Sequence, residues 1–173
     1  MKKCDDRGRA VIMCGISGSG KTYHALRLEA EGYVRLSVDA LVWDRVGESL
    51  FEMPGEKQKR LFDECKKEVR DRLVEYLKSG GKVVLDATNC RRSVRDDIRN
   101  LCEREGVKPL FVYCEADEDE LWRRLSQRKG SGPDDLIVTR DELSRYYRGF
   151  ERPHPDEPDF TDIDNLIQSE TQL

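Results

Sequence analysis

The stretch Cys14–Thr22, CGISGSGKT, directly follows the apolar run AVIM near the start of a 173-residue chain. Three glycines in six positions (15, 18 and 20) are expensive to order, because glycine loses more backbone freedom on folding than any other residue. A bound phosphate explains them. The pattern is G-x-x-x-x-G-K-T, with Gly15, Gly20, Lys21 and Thr22 between a predicted strand and a predicted helix. The glycines let successive backbone N–H groups turn inward around an anion, and the helix N-terminus adds partial positive charge. Gly15, Ile16, Ser17, Gly18, Ser19, Gly20, Lys21 and Thr22 are therefore the expected nucleotide-binding residues. Lys21 is expected at the β- and γ-phosphates, and the Thr22 hydroxyl on the metal. ATP and Mg²⁺ are the expected cofactors.

The pattern downstream alternates. AVIMCG reads as a buried strand and KTYHALRLEAEG as a helix closed by Gly32. YVRLS is a second strand, and DALVWDRV a short helix. Apolar residues at 61, 62, 65, 69, 73, 76 and 77 define a long amphipathic helix from Glu56 to Leu77, ended by SGG. KVVLDAT is a third strand, its unbroken apolar run suited to burial on both faces. A helix carrying Val94, Ile98, Leu101 and Cys102 follows, then the strand PLFVYCEA and the helix DEDELWRRLSQR. Asp117 with Glu120, and Thr139 with Glu142, have capping-box spacing; the second pair opens a last helix. DFTDIDNLIQ is a weak fifth strand. The reading is a three-layer α/β fold of the P-loop NTPase type, with a parallel sheet of four to five strands and helices on both faces. It is organised as one domain over residues 1–155 with an acidic segment, 156–173, in a position to complete the sheet.

Composition narrows the partners. No apolar run approaches the ~20 residues of a membrane helix, and the acids at 5 and 6 precede any apolar stretch, so no signal peptide is expected. Six cysteines without a C-x-x-C pair, and two histidines, argue against a structural zinc site and for a reduced, cytoplasmic chain. The net charge is −4, but residues 156–173 hold six acids and no lysine or arginine, leaving residues 1–155 at +2. Arginines bunch at 91–99, 123–128 and 140–152, so a local basic groove is compatible with the chain and a strongly basic domain is not.

The guanine-reading N-K-x-D is absent, and Asp44–Gly47 offers D-x-x-G without it. The third strand ends VVLDAT rather than in an Asp-Glu pair. GISGSGKT, a strand ending LSVD, and VVLDATN before an arginine-rich helix together resemble the P-loop kinases of the polynucleotide 5′-kinase and zeta-toxin group. SQRKGSG and YYRGFERP resemble that group's lid and the segment after it, and the similarity spans most of residues 10–155.

The resemblance implies an ATP- and Mg²⁺-dependent kinase acting on a hydroxyl, borne by a small molecule or by a polynucleotide 5′ end. No membrane and no obligate protein partner are expected. Asp39 matches the family's catalytic aspartate, placed to accept the hydroxyl proton; its local alternative is a helix N-cap. Asp86 and Asn89 fall at the carboxyl end of the third strand, where ligands collect in open α/β sheets. By resemblance they line the acceptor pocket, whereas general P-loop chemistry puts Asp86 near Mg²⁺. Arg92, with Arg95 and Arg99, shares a helix flank that either lines an acidic acceptor's path or is a solvated face. Arg128 matches the lid arginine that neutralises charge developing in transfer, and Arg124 lies one turn earlier, at the nucleotide. One position departs: where the polynucleotide enzymes keep an arginine three residues after the catalytic aspartate, this chain has Val42. Two rivals follow from other classes, an ATP-hydrolysing regulatory module acting through a partner and a nucleic-acid-binding protein that uses ATP as a switch.

Overall fold

The computed structural model describes residues 10–161. Its elements are β1 (Ala10–Cys14), α1 (Lys21–Ala30), β2 (Val34–Ser37), α2 (Val38–Val46), α3 (Gly55–Lys78), β3 (Val83–Asp86), α4 (Arg92–Arg104), β4 (Pro109–Tyr113), α5 (Glu118–Leu125), α6 (Arg140–Gly149) and β5 (Phe160–Thr161). Two short 3-10 segments, Gly47–Glu52 and Pro133–Asp135, were not legible in the pattern. Of the fifth strand expected in DFTDIDNLIQ, Phe160 and Thr161 pair with β4; the residues from 162 lie outside the described ones.

All strand pairs are parallel, in the order β2-β3-β1-β4-β5. Every residue of β1 is buried because the strand is central and covered on both faces. Alternation divides its side chains. Ala10 and Ile12 join Leu36, Val83, Leu85 and Phe111 under α3 and α4, where Val69, Leu73, Leu77 and Ile98 complete the layer. Val11 and Met13 face the other way, with Val84 and Val112, against Ala25 and Leu28 of α1. A third cluster sits at the carboxyl end of the sheet, where Ile16 of the glycine-rich loop meets Leu121 and Leu125 of α5, Leu143 of α6 and Phe150. That cluster fixes α5 and α6 beside the loop.

Local chemistry sets the boundaries. Gly32 takes φ +89, and its N–H bonds the Glu29 carbonyl at 3.0 Å to end α1. The Asp117 side chain accepts from the Glu120 N–H at the start of α5. At α6 the full reciprocal box forms between Thr139 and Glu142.

Candidate active site

β2 and β3 lie on one side of β1, and β4 and β5 on the other, so the strand order reverses about β1 and opens a crevice at the carboxyl ends of the central strands. The glycine-rich loop fills its mouth. Gly15, at φ +151, donates its N–H to the Thr88 carbonyl at 3.1 Å. A Cβ there would lie 2.4 Å from the Cys114 carbonyl oxygen and 2.7 Å from Ser19 Oγ, so only glycine fits. Gly20, at φ +102, turns the chain into α1 at Lys21, aiming the first helical N–H groups back at the loop. Ser19 Oγ is buried without a hydrogen-bond partner among the described residues. An orphaned buried hydroxyl costs about 1–3 kcal/mol, and a phosphate oxygen would satisfy it.

Lys21 is 8% exposed, and its Nζ donates to the Ile16 carbonyl at 2.9 Å, lying back along the loop it closes. Burial pushes its pKa down, while Asp86 and Asp39 oppose the shift. The cation is held ready for an anion. The Thr22 hydroxyl donates to Asp86 Oδ2 at 3.0 Å. A metal-ligating hydroxyl beside a carboxylate at a β-strand end is the donor set Mg²⁺ takes alongside substrate phosphates. The loop, the orphaned hydroxyl and this pair fit both expected cofactors.

Asp86 ends β3 opposite Ser37 of β2, and its side chain is almost completely buried. Oδ2 also accepts from Arg35, with Nε at 3.0 Å and Nη2 at 2.7 Å. Arg35 reaches a second carboxylate, Asp134 in the segment Pro133–Asp135, with Nη2 2.5 Å from Oδ1. Nothing in the motif marks Arg35. The available signal was an arginine inside the short strand VRLS, where a charge needs partners to be half-buried.

Asp39 lies in the first turn of α2, but the cap is Ser37, whose side chain accepts from the Ala40 N–H at 3.2 Å. The local explanation for Asp39 as N-cap therefore falls away. Asp39 is exposed, yet protein crowds it enough for desolvation to raise its pKa. Lys21 and Arg128 pull the value back, and Asp86 and Asp134 reinforce the rise. The fields of Lys21, Asp39, Asp86 and Arg128 thus meet in one place.

Arg128 donates to the Leu136 carbonyl at 3.2 Å across the turn that follows it. That turn is built on Asp135, whose Oδ2 accepts from Lys129 N–H, Ser131 N–H and Ser131 Oγ at 3.1, 3.0 and 2.8 Å. The turn packs on α2, the helix of Asp39. Arg124 donates to the Gly18 carbonyl at 3.0 Å and to Glu120 at 2.7 Å, which ties α5 to the loop.

Two expected acceptor residues are otherwise engaged. Asn89, at φ +46, donates Nδ2 to the Met13 carbonyl at 2.7 Å and so pins the loop after β3 to the end of β1. Arg92 binds Asp96 and Asp156. Its neighbours correct the picture of a flank open to an acceptor. Arg95 is fully buried, paired bidentately with Glu157 at 2.9 and 2.8 Å. Arg99 bonds Asp159, Glu157 and Asp96. Asp156, Glu157 and Asp159, the described acids of the 156–173 segment, neutralise this helix.

A parallel sheet of this order, with a G-x-x-x-x-G-K-T loop between β1 and α1, defines a P-loop nucleotide-binding fold. Residues 11–153 match the model of the AAA domain family AAA_33, and the chain belongs to that family. Solved structures share the fold. A gluconokinase from Sinorhizobium meliloti 1021 superposes with a TM-score of 0.62 at 22% identity, covering 92% of this chain and 87% of that one. Chaetomium thermophilum Kti12 in complex with ADP-AlF3 gives 0.61 at 16% identity, covering 92% and 97%. A chain of the Pnkp1/Rnl/Hen1 RNA repair complex gives 0.64 at 22% identity, covering 81% of this chain and 43% of that one.

Proposed function

We propose that the protein is an ATP- and Mg²⁺-dependent phosphotransferase that moves the γ-phosphoryl group to a hydroxyl of a small molecule. The observation that carries this reading is Asp39: an exposed carboxylate, not needed as a cap, in the combined field of Lys21 and Arg128. Asp39 accepts the hydroxyl proton as the acceptor oxygen bonds to the γ-phosphorus and the bridge to the β-phosphate breaks. Desolvation makes it a stronger base than an ordinary aspartate. Lys21 and Arg128 neutralise charge on the oxygens in flight. Thr22 and Asp86 would hold Mg²⁺, which would supply neutralising charge to the phosphates.

A small acceptor is favoured over a polynucleotide because Arg92, Arg95 and Arg99 spend their guanidinium groups on Asp96, Asp156, Glu157 and Asp159. Val42 supports the same choice. The likeness to the gluconokinase is compatible with it. The likeness to Kti12 keeps a regulatory nucleotide-binding module as the second reading.

The test is a transfer screen with γ-labelled ATP over sugars, nucleosides, aminoglycosides and 5′-hydroxyl oligonucleotides. Label in a small acceptor, lost in Asp39→Asn, is the expected result. Label in oligonucleotides alone would overturn the acceptor class. Steady ATPase activity with no label transferred would favour the module.

A further inference from the structure

Among the described residues, Arg35 links the metal-side carboxylate to the turn that carries the lid. Its guanidinium binds Asp86 through Nε and Nη2, and the same Nη2, with Nη1, binds Asp134. Asp86 in turn holds the Thr22 hydroxyl. A continuous chain of charge-assisted bonds therefore runs from the first turn of α1 through β3 and β2 into Pro133–Asp135.

The two ends differ in setting. The Asp86 side chain is 4% exposed and that of Arg35 10%, while Asp134 is 38% exposed on a turn tied into the lid by Asp135. The inner pair is fixed by burial, and the outer carboxylate is the more exposed of the two.

We propose that Arg35 is a positioning residue that couples lid closure to the loading of Mg²⁺ and nucleotide. This rests on the phosphotransferase reading for its ligand, though not on the identity of the acceptor. When Thr22 turns its hydroxyl oxygen to a cation, Asp86 loses a donor and shares its charge with that cation. Arg35 is then held less by Asp86 and repelled from the inner side, and it bonds Asp134 the more strongly. The lid turn, already packed on α2, is held there more tightly beside Asp39, and water is excluded as the site fills. Linkage makes the effect reciprocal: a lid held by Asp134 favours the arrangement of Asp86 that accepts the metal.

The experiment follows tryptic cleavage after Lys129, an exposed lid residue, with and without Mg²⁺·ADP, using calorimetry to establish that ADP is bound. In the unaltered protein Mg²⁺·ADP should slow this cut by about 5- to 150-fold, the range of ordinary coupling between sites. Asp134→Asn, at a partly exposed carboxylate, should bind ADP and yet show little protection. Arg35→Lys keeps the charge but cannot span two carboxylates, and should behave alike. Full protection persisting in Asp134→Asn, or no slowing in the unaltered protein with ADP bound, overturns the coupling and leaves the phosphotransferase reading intact. Failure to bind ADP at all removes both.

Discussion

Lys21 and Asp39 are held in the folded chain at a cost, and that sets what their replacement does. Burial depresses the folded pKa of Lys21, so without ligand the chain gains stability as pH rises from that value toward 10.5. Lys21→Met should therefore melt no lower than the unaltered protein at pH 7, while ATP affinity and turnover collapse, as calorimetry and a transfer assay would register. Asp39 has the opposite linkage. Its folded pKa is raised above 3.8, so the ligand-free fold loses stability as pH rises from there through the folded value. Asp39→Asn should abolish that loss and lower kcat by ~10²–10⁴ with ATP affinity nearly unchanged. In the unaltered protein kcat should climb with pH above 3.8 as Asp39 deprotonates, and a profile with no rising limb would remove the base. Gly15→Ala meets backbone at 2.4 Å rather than a yielding side chain. It should lower the melting temperature and abolish nucleotide binding together.

At the level of elements, the reciprocal cap on α6 is the most separable contribution. Thr139→Ala removes a side chain bonded to the Glu142 N–H and should cost about 1 kcal/mol, measured by urea titration. The effect should extend to the loop, because Leu143 of that helix packs in one cluster with Ile16. Most elements could be read from the chain because burial imposes a period. Val69, Leu73 and Leu77 line one face of α3, and the unbroken run of β1 signals a strand with two covered faces. The 3-10 segments left no period to read: six residues at Gly47–Glu52 and three at Pro133–Asp135 make too few turns. The glycine-rich loop was legible because its backbone demands particular residues. Arg35 was not, since its role depends on Asp86 and Asp134, 51 and 99 residues away.

Across the whole molecule, the pair Arg95–Glu157 ties α4 to the segment before β5. Both side chains are completely buried. Burial works to raise Glu157, but hydrogen bonds from Arg95, the His154 N–H and Arg99 overcome it and hold the pKa down at about 2. The stability this pair contributes is full above the ordinary value of 4.5 and is lost as pH falls toward 2. Glu157→Gln strands a buried guanidinium and should cost about 3–5 kcal/mol at pH 7. Its unfolding curve should also lose much of its acid dependence below pH 4.5, and an unchanged acid limb would count against the assignment. Arg95→Met with Glu157→Leu should recover only part of the loss, because the Asn89 and Glu151 carbonyls, the His154 N–H and Arg99 also lose partners.

The separation of these partners also bears on biogenesis. Glu157 follows Arg95 by 62 residues. A ribosome adding about 5–20 residues per second takes roughly 3–12 s to make that interval. Throughout it the nascent chain holds the phosphate loop and its lysine, but α4 has an arginine that cannot be buried. Burial of the Arg95 guanidinium with its partner therefore waits until one of the last described segments emerges.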